Sequence, residues 1–299
     1  MAELSFKYVH VNGIRLHVAA AGPKEGEMVI LLHGFPEYWR AWEKQMHALA
    51  EEGYFVVAPD QRGYHLSAKP SGTASYTMDA LRDDIIGLIS HFKREKAVIV
   101  GHDWGGAAGW YMALTRPEYI SLFIPVNMPH LMAMPKTMLT HPMDLIKGYY
   151  MAAFQIPSLP DKGAAMFQYA ALKAHLAVTS CPGTFSKQEL DGYQFAWSQP
   201  GSVTAMFNWF RAIPSGPADA MSTEAINVPV RMIWGMHDWF LGTAAAKESL
   251  KYCSDGNGVF IEEATHWVHH EQPELVTQFI KSFIQKNQLG GNTYAEYQL

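Results

Sequence analysis

Residues 97–106 read Ala-Val-Ile-Val-Gly-His-Asp-Trp-Gly-Gly. A short apolar run followed at once by small–x–Asp–x–small is the pattern of a nucleophile elbow, a sharp strand-to-helix turn that lifts one side chain above the end of a sheet. The next residues, Ala107-Ala-Gly-Trp-Tyr-Met112, suit a helix, so the strand–turn–helix context is present. Gly101 and Gly105 fit a turn too tight for flanking side chains. The centre of the motif, Asp103, is a carboxylate where hydrolases of esters place serine. Aspartate also caps helices well, so an N-cap role for Asp103 is the competing expectation.

Other apolar runs bracket this one. Residues 28–32, 55–58, 122–126, 230–234 and 259–261 read as strands buried on both faces, as in a parallel sheet. Residues 14–20 alternate in polarity and predict an antiparallel strand. Leu81, Ile85, Leu88, Ile89 and Phe92 fall on one helical face, leaving Arg82, Asp83 and Lys93 for solvent. Alternating strands and helices predict an α/β fold with a mostly parallel central sheet flanked by helices.

The rhythm breaks between residues 128 and 227, a stretch rich in Met, Tyr, Phe, Trp and Pro without a convincing strand. Ser186 and Glu189 form a capping-box pattern that starts a helix, and Pro200-Gly201 ends it. A further helix is expected from Ser202 to Arg211. The expectation is a helical cap, residues 128–227, inserted between two late strands of a core made of residues 1–127 and 228–299. Such a cap would roof the carboxyl edge of the sheet, where open parallel sheets bind ligands.

Composition narrows the function classes. The 299 residues are 48% hydrophobic and 17% charged, enough for a sizeable core. A formal charge of −5 argues against nucleic acid as a partner. No apolar run is long enough to span a bilayer, and Met1-Ala-Glu-Leu-Ser-Phe-Lys lacks the features of a signal peptide, so a cytoplasmic protein is expected. Cys181 and Cys253 are too few for a disulfide framework and lack metal-site spacing. A monomer or homodimer is expected, and the tail from Gly290 onward reads as a flexible or contact segment.

The chemistry-bearing residues follow strand ends. His33-Gly34-Phe35-Pro36 comes after an early strand, where the backbone N–H of Phe35, with that of Trp104, would form an oxyanion hole. His33 reads as support for its loop. Asp238 lies just past residues 230–234 and His266 just past 259–261, giving the chain order nucleophile, acid, histidine. His237, His269 and His270 compete with His266, whose place immediately after its strand favours it. A carboxylate is ionised near neutral pH and needs no base to attack. It can displace a leaving group at saturated carbon and become an alkyl ester, which a histidine held by an acid then hydrolyses by activating water. Asp103 therefore points to epoxides or alkyl halides, with no cofactor or metal.

The chain resembles the α/β-hydrolase-fold epoxide hydrolases along nearly its whole length. The likeness rests on His33-Gly34-Phe35-Pro36, on Asp60-Gln-Arg-Gly-Tyr64, on residues 101–106, and on the cap segments Tyr150…Phe154-Gln155-x-Pro157 and Asn208-Trp209-Phe210-Arg211. It implies an α/β-hydrolase fold, Asp103 as nucleophile, His266 as base, Asp238 as its orienting acid, and a small apolar epoxide and water as partners. It also implies two cap tyrosines that hydrogen-bond the epoxide oxygen. Tyr150 matches the first, whereas Phe210 stands where the second belongs and cannot donate a hydrogen bond. Phe35, Trp104 and Phe210 are the expected substrate contacts, and Met132, Met134, Met138 and Phe154 suggest an adaptable apolar pocket or simple cap packing. A haloalkane dehalogenase, whose leaving halide needs no proton, is the alternative enzyme. Many dehalogenases carry Asn at the place of Phe35, and some place the acid near Asn127, here an amide. A ligand-binding protein on a hydrolase fold is the alternative from another class.

Overall fold

Eight strands form one sheet in the computed structural model, which describes residues 2–141, 149–216 and 225–288. They are β1 (Ser5–Val11), β2 (Ile14–Ala21), β3 (Met28–Leu32), β4 (Phe55–Pro59), β5 (Ala97–His102), β6 (Ile120–Val126), β7 (Val230–Gly235) and β8 (Gly256–Ile261), in the order β1-β2-β4-β3-β5-β6-β7-β8. β2 is antiparallel to both β1 and β4, and the pairs from β4 to β8 are parallel. β3, β4 and β5 are buried at every position, which is why they read as unbroken apolar runs. β1 has no counterpart among the expected strands. It is an edge strand joined to β2 by Asn12-Gly13, both at positive φ as a two-residue hairpin turn requires.

α1 (Glu43–Glu51) and the C-terminal helix Pro273–Gln288 pack together on one face of the sheet, and α2 (Met78–His91) and α3 (Trp104–Thr115) pack together on the other. Arg82 corrects the helical-face expectation. It is buried rather than solvated, ion-paired to Asp79 and Asp83 with its guanidinium against Thr115 of α3. The amphipathic pattern of α2 locates its apolar stripe but not the neighbouring helix that covers its flank.

Between β6 and β7 the described residues contain helices and no strand of the sheet. These are α4 (Ala133–Thr140), α5 (Tyr149–Ala153), α6 (Leu159–Ala165), α7 (Ala170–Thr179), α8 (Lys187–Trp197) and α9 (Ser202–Arg211). α8 starts with the expected capping box, in which the Ser186 and Glu189 side chains exchange bonds with each other's backbone N–H. Two indole N–H groups seat this segment on the core. Trp197 Nε1 donates to Pro36 O at 2.6 Å, and Trp209 Nε1 donates to Arg62 O at 3.0 Å. The two sequence motifs of the segment also join: Gln155 Nε2 donates to Phe210 O at 2.8 Å, and Arg211 donates to Phe154 O and pairs with Asp161. The tail from Gly290 lies outside the described residues. Among the described residues no helix is long and apolar enough to cross a membrane.

Candidate active site

Asp103 sits between β5 and α3 at φ 47° and ψ −120°, a conformation that L-residues other than Gly rarely adopt. Its side chain makes no capping bond to α3, so the N-cap expectation fails. Strain of this kind persists only where the surroundings over-determine it. A Cβ on Gly101 would lie 2.5 Å from the Gly105 carbonyl oxygen, and one on Gly105 would strike the Leu32 carbonyl oxygen. The turn therefore closes tightly and presents the carboxylate above the sheet.

The Asp103 carboxylate has two neighbours of consequence. The Phe35 N–H, one of the two donors expected of an oxyanion hole, donates to Oδ1 at 2.9 Å. Trp104, as the first residue of α3, offers a second N–H that no helical carbonyl uses. His266 Nε2 stands 3.7 Å from Oδ2, beyond hydrogen-bond distance but close enough for a water to interact with both.

His266 is held from behind. Its Nδ1 donates to Asp238 Oδ2 at 2.7 Å, directing Nε2 toward Asp103. Asp238 is buried and held at both oxygens: Oδ2 also accepts from Asn127 Nδ2 at 2.7 Å, while Oδ1 accepts from the N–H groups of Phe240 and Leu241 at 2.7 and 2.9 Å. Burial alone would raise the Asp238 carboxyl, but the His266 and Asn127 contacts hold it below its usual range. For His266, burial would lower the value, yet Asp238, Asp103 and Glu37 raise it to about 8.

Behind this set lies a network that the sequence reading missed. Glu37 is buried, with Oε2 accepting from Gly34 N at 3.1 Å and His102 Nδ1 at 2.7 Å. Its Oε1 meets His269 Nε2 at 3.1 Å and His270 Nε2 at 2.7 Å. His102 Nε2 in turn donates to the His266 carbonyl at 2.9 Å. Burial would raise Glu37, but His269 and His102 hold it well below the ordinary carboxylate range. The oxyanion loop and the His266 loop are thus tied to one carboxylate. The only signal in the sequence was that Glu37 directly follows one recognised motif and His102 lies within another. Asn127 was read as an amide unfit to be the acid, and the structure makes it the clamp on the acid.

Of the competing histidines, His269 and His270 are committed to Glu37, and His237 is exposed beside Glu262. His33 supports its loop, with Nδ1 donating to Gly34 O at 2.9 Å and Nε2 accepting from Gln61 N at 3.1 Å. Tyr150 belongs to α5, and its side chain lies outside the described residues.

Asp103 opens into a cavity of about 260 Å³. Trp104 shares its floor with Asp103, Trp209 and Phe210 line it from α9, and Met128, Met134 and Met151 contribute soft walls. Phe210 stands edge-on to both Phe35 and Trp104 at 5.1 Å between ring centroids. Two tyrosines also line the cavity, but the Tyr76 hydroxyl donates to Pro70 O at 2.7 Å and that of Tyr111 to Asp79 Oδ1 at 2.7 Å.

A parallel sheet bearing a strained carboxylate at its elbow, with histidine and acid on later loops, defines an α/β hydrolase. Residues 27–273 match the family model of the alpha/beta hydrolase fold. The AB hydrolase superfamily protein YfhM of Bacillus subtilis (strain 168) is 47% identical over 96% of this chain and 100% of its own length. Epoxide hydrolase 4 of Mus musculus is 33% identical over 93% of this chain and 79% of its own length. The crystal structure of a Bacillus megaterium epoxide hydrolase in complex with an inhibitor superposes with a TM-score of 0.86 at 29% identity, covering 94% of this chain and 100% of that one. The chain belongs to the α/β-hydrolase family, in its epoxide hydrolase group.

Proposed function

We propose that the protein is an epoxide hydrolase that converts an apolar epoxide to a vicinal diol through an ester on Asp103. One observation carries this reading: a strained carboxylate faces an apolar cavity, with Phe35 N–H 2.9 Å from one oxygen and His266 Nε2 3.7 Å from the other. Asp103 attacks an epoxide carbon, the C–O bond of the ring breaks, and the departing oxygen takes a proton, giving a hydroxyalkyl ester. Tyr150 is the proton donor in this scheme. His266 then removes a proton from water as its oxygen adds to Asp103 Cγ, and the resulting oxyanion is held by the N–H groups of Phe35 and Trp104. Collapse of this intermediate breaks the ester C–O bond. The diol leaves with the proton returned by His266, and the second proton of the water passes from the Asp103 carboxyl to the Tyr150 phenolate, restoring the carboxylate and the phenol.

Asp238 keeps the imidazole oriented, and residues 128–227 act as a cap that closes the cavity over Asp103. Trp104 and Phe210 form the walls against which the apolar substituent lies; Phe35, expected as a substrate contact, packs edge-on against Phe210 and is not among the described residues that line the cavity. Likeness to proteins named epoxide hydrolases supports the choice of substrate class.

Phe210 favours a second reading, haloalkane dehalogenation, because a ring without a hydroxyl suffices when halide leaves unprotonated. Turnover in heavy-oxygen water with an aryl epoxide and, separately, a bromoalkane distinguishes the two. Diol formation, no bromide, and label in Asp103 after repeated turnovers are expected. Bromide release alone would establish the dehalogenase. Absence of product and label with both substrates would leave only a ligand-binding role.

A further inference from the structure

The cavity that holds Asp103 is not lined by His266. Once an alkyl group esterified to Asp103 fills it, the water that cleaves the ester must arrive from the other side of the carboxylate. His175, from α7, stands beside the aromatic residues that flank His266. Its ring centroid lies 5.1 Å from that of Phe240, 5.9 Å from that of Trp267 and 6.3 Å from that of Phe35. Phe240 and Trp267 each lie 5.0 Å from the His266 ring, so the two imidazoles share two aromatic walls.

His175 is part-buried, and neither ring nitrogen has a hydrogen-bond partner among the described residues. Burial and the charge on His266 lower its pKa to about 4. Near neutral pH it is therefore an uncharged imidazole with one donor and one acceptor, and it adds no second cation beside His266. Phe240, Trp267 and Phe35 offer water only ring surfaces here.

We infer that His175 positions the water delivered to His266, as a hydrogen-bonding station on a path from the surface of the 128–227 segment that is separate from the apolar cavity. The inference rests on the ester mechanism proposed above. In this role His175 acts on the water and is not among the described residues lining the cavity that holds Asp103, so its effect is confined to ester hydrolysis.

The test follows adduct formation and decay on the intact protein by rapid quench and mass spectrometry, with styrene oxide as probe. His175→Phe keeps a ring in place and removes both polar atoms. Decay should slow by about tenfold, the scale of losing one well-placed water, with formation within about twofold of wild type. The adduct should accumulate, and kcat and KM should fall together. His175→Gln, which restores a donor and an acceptor, should recover most of the decay rate. Unchanged decay in His175→Phe, or formation and decay slowed equally, would overturn the assignment as mere packing. His266→Gln serves as the control for the underlying mechanism. If that protein forms no adduct, the ester mechanism falls and the role of His175 with it. If it traps the adduct while His175→Phe behaves as wild type, only the role of His175 falls.

Discussion

Replacing Asp103 by Asn removes one negative charge and keeps the shape of the side chain, including the oxygen that accepts from Phe35. The charge lies 3.7 Å from His266 Nε2. At that separation the interaction is about 1 kcal/mol in a water-like medium and about 4.5 kcal/mol at an effective dielectric constant of about 20. Converted at about 1.4 kcal/mol per pKa unit, the substitution should lower His266 by about one to three units. Starting from about 8, the value should fall to between about 5 and about 7. The consequence for the proposed mechanism is a matter of timing. Forming the ester on Asp103 removes the same charge, so the neutral fraction of His266 at pH 7 rises from about a tenth to about half or more at the moment a base is needed. Titrating the His266 ring by NMR in the wild-type and Asp103→Asn proteins measures the shift. A change under about half a unit would refute the coupling. The same charge enters stability. Because His266 is raised from about 6.5 to about 8, it contributes stability that is present below pH 6.5 and lost as pH rises through 8. Denaturant unfolding at pH 6 and 9 should show a smaller loss in Asp103→Asn.

Asp238→Asn should leave adduct formation nearly intact and slow ester hydrolysis by about 10³-fold or more, because an amide no longer fixes the imidazole tautomer; rapid-quench kinetics reads both steps. Phe210→Tyr brings a hydroxyl into the cavity and should speed adduct formation with an aliphatic epoxide by about tenfold, the scale of one charge-assisted hydrogen bond; an unchanged rate would show that the missing phenol does not limit ring opening. Asn127→Ala leaves Gly235 N and Asp238 each short of a buried partner at a position with φ 42°, and should destabilise the fold by about 2–4 kcal/mol in urea unfolding. A midpoint within experimental scatter of wild type would contradict the clamp.

The strands were legible where burial on both faces makes an unbroken apolar run, as in β3 and β5. β1 escaped because its outward residues, Phe6 and Tyr8, are 51% and 48% exposed aromatics that blur the polar alternation of an edge strand. Asn12-Gly13 was the available cue. Arg82 was misplaced because helical periodicity reports on one face of α2 and says nothing of its packing against α3. Asp103 was legible because glycines around an elbow answer to contacts within the turn and its adjoining strands. Glu37 and His102 carried no such mark, since a buried charge is recognisable only from its partners.

Local patterns in the sequence determined the elements, the elbow, and the residue types able to attack saturated carbon and release an ester. Each depends on residues within a turn or two of one another, or on one face of one element. Only the tertiary structure decided which partners meet. Asp238 is clamped by Asn127 from 111 residues away, and the His266 carbonyl is held by His102 from 164 away. Phe210, conspicuous in the sequence for the hydroxyl it lacks, proves to be a ring wedged between Phe35 and Trp104. The reason is physical. Secondary structure and turns follow from short-range sterics and periodic burial, whereas the charge on His266 and the shape of the cavity arise from groups that only the packing of sheet and helices brings within a few ångströms.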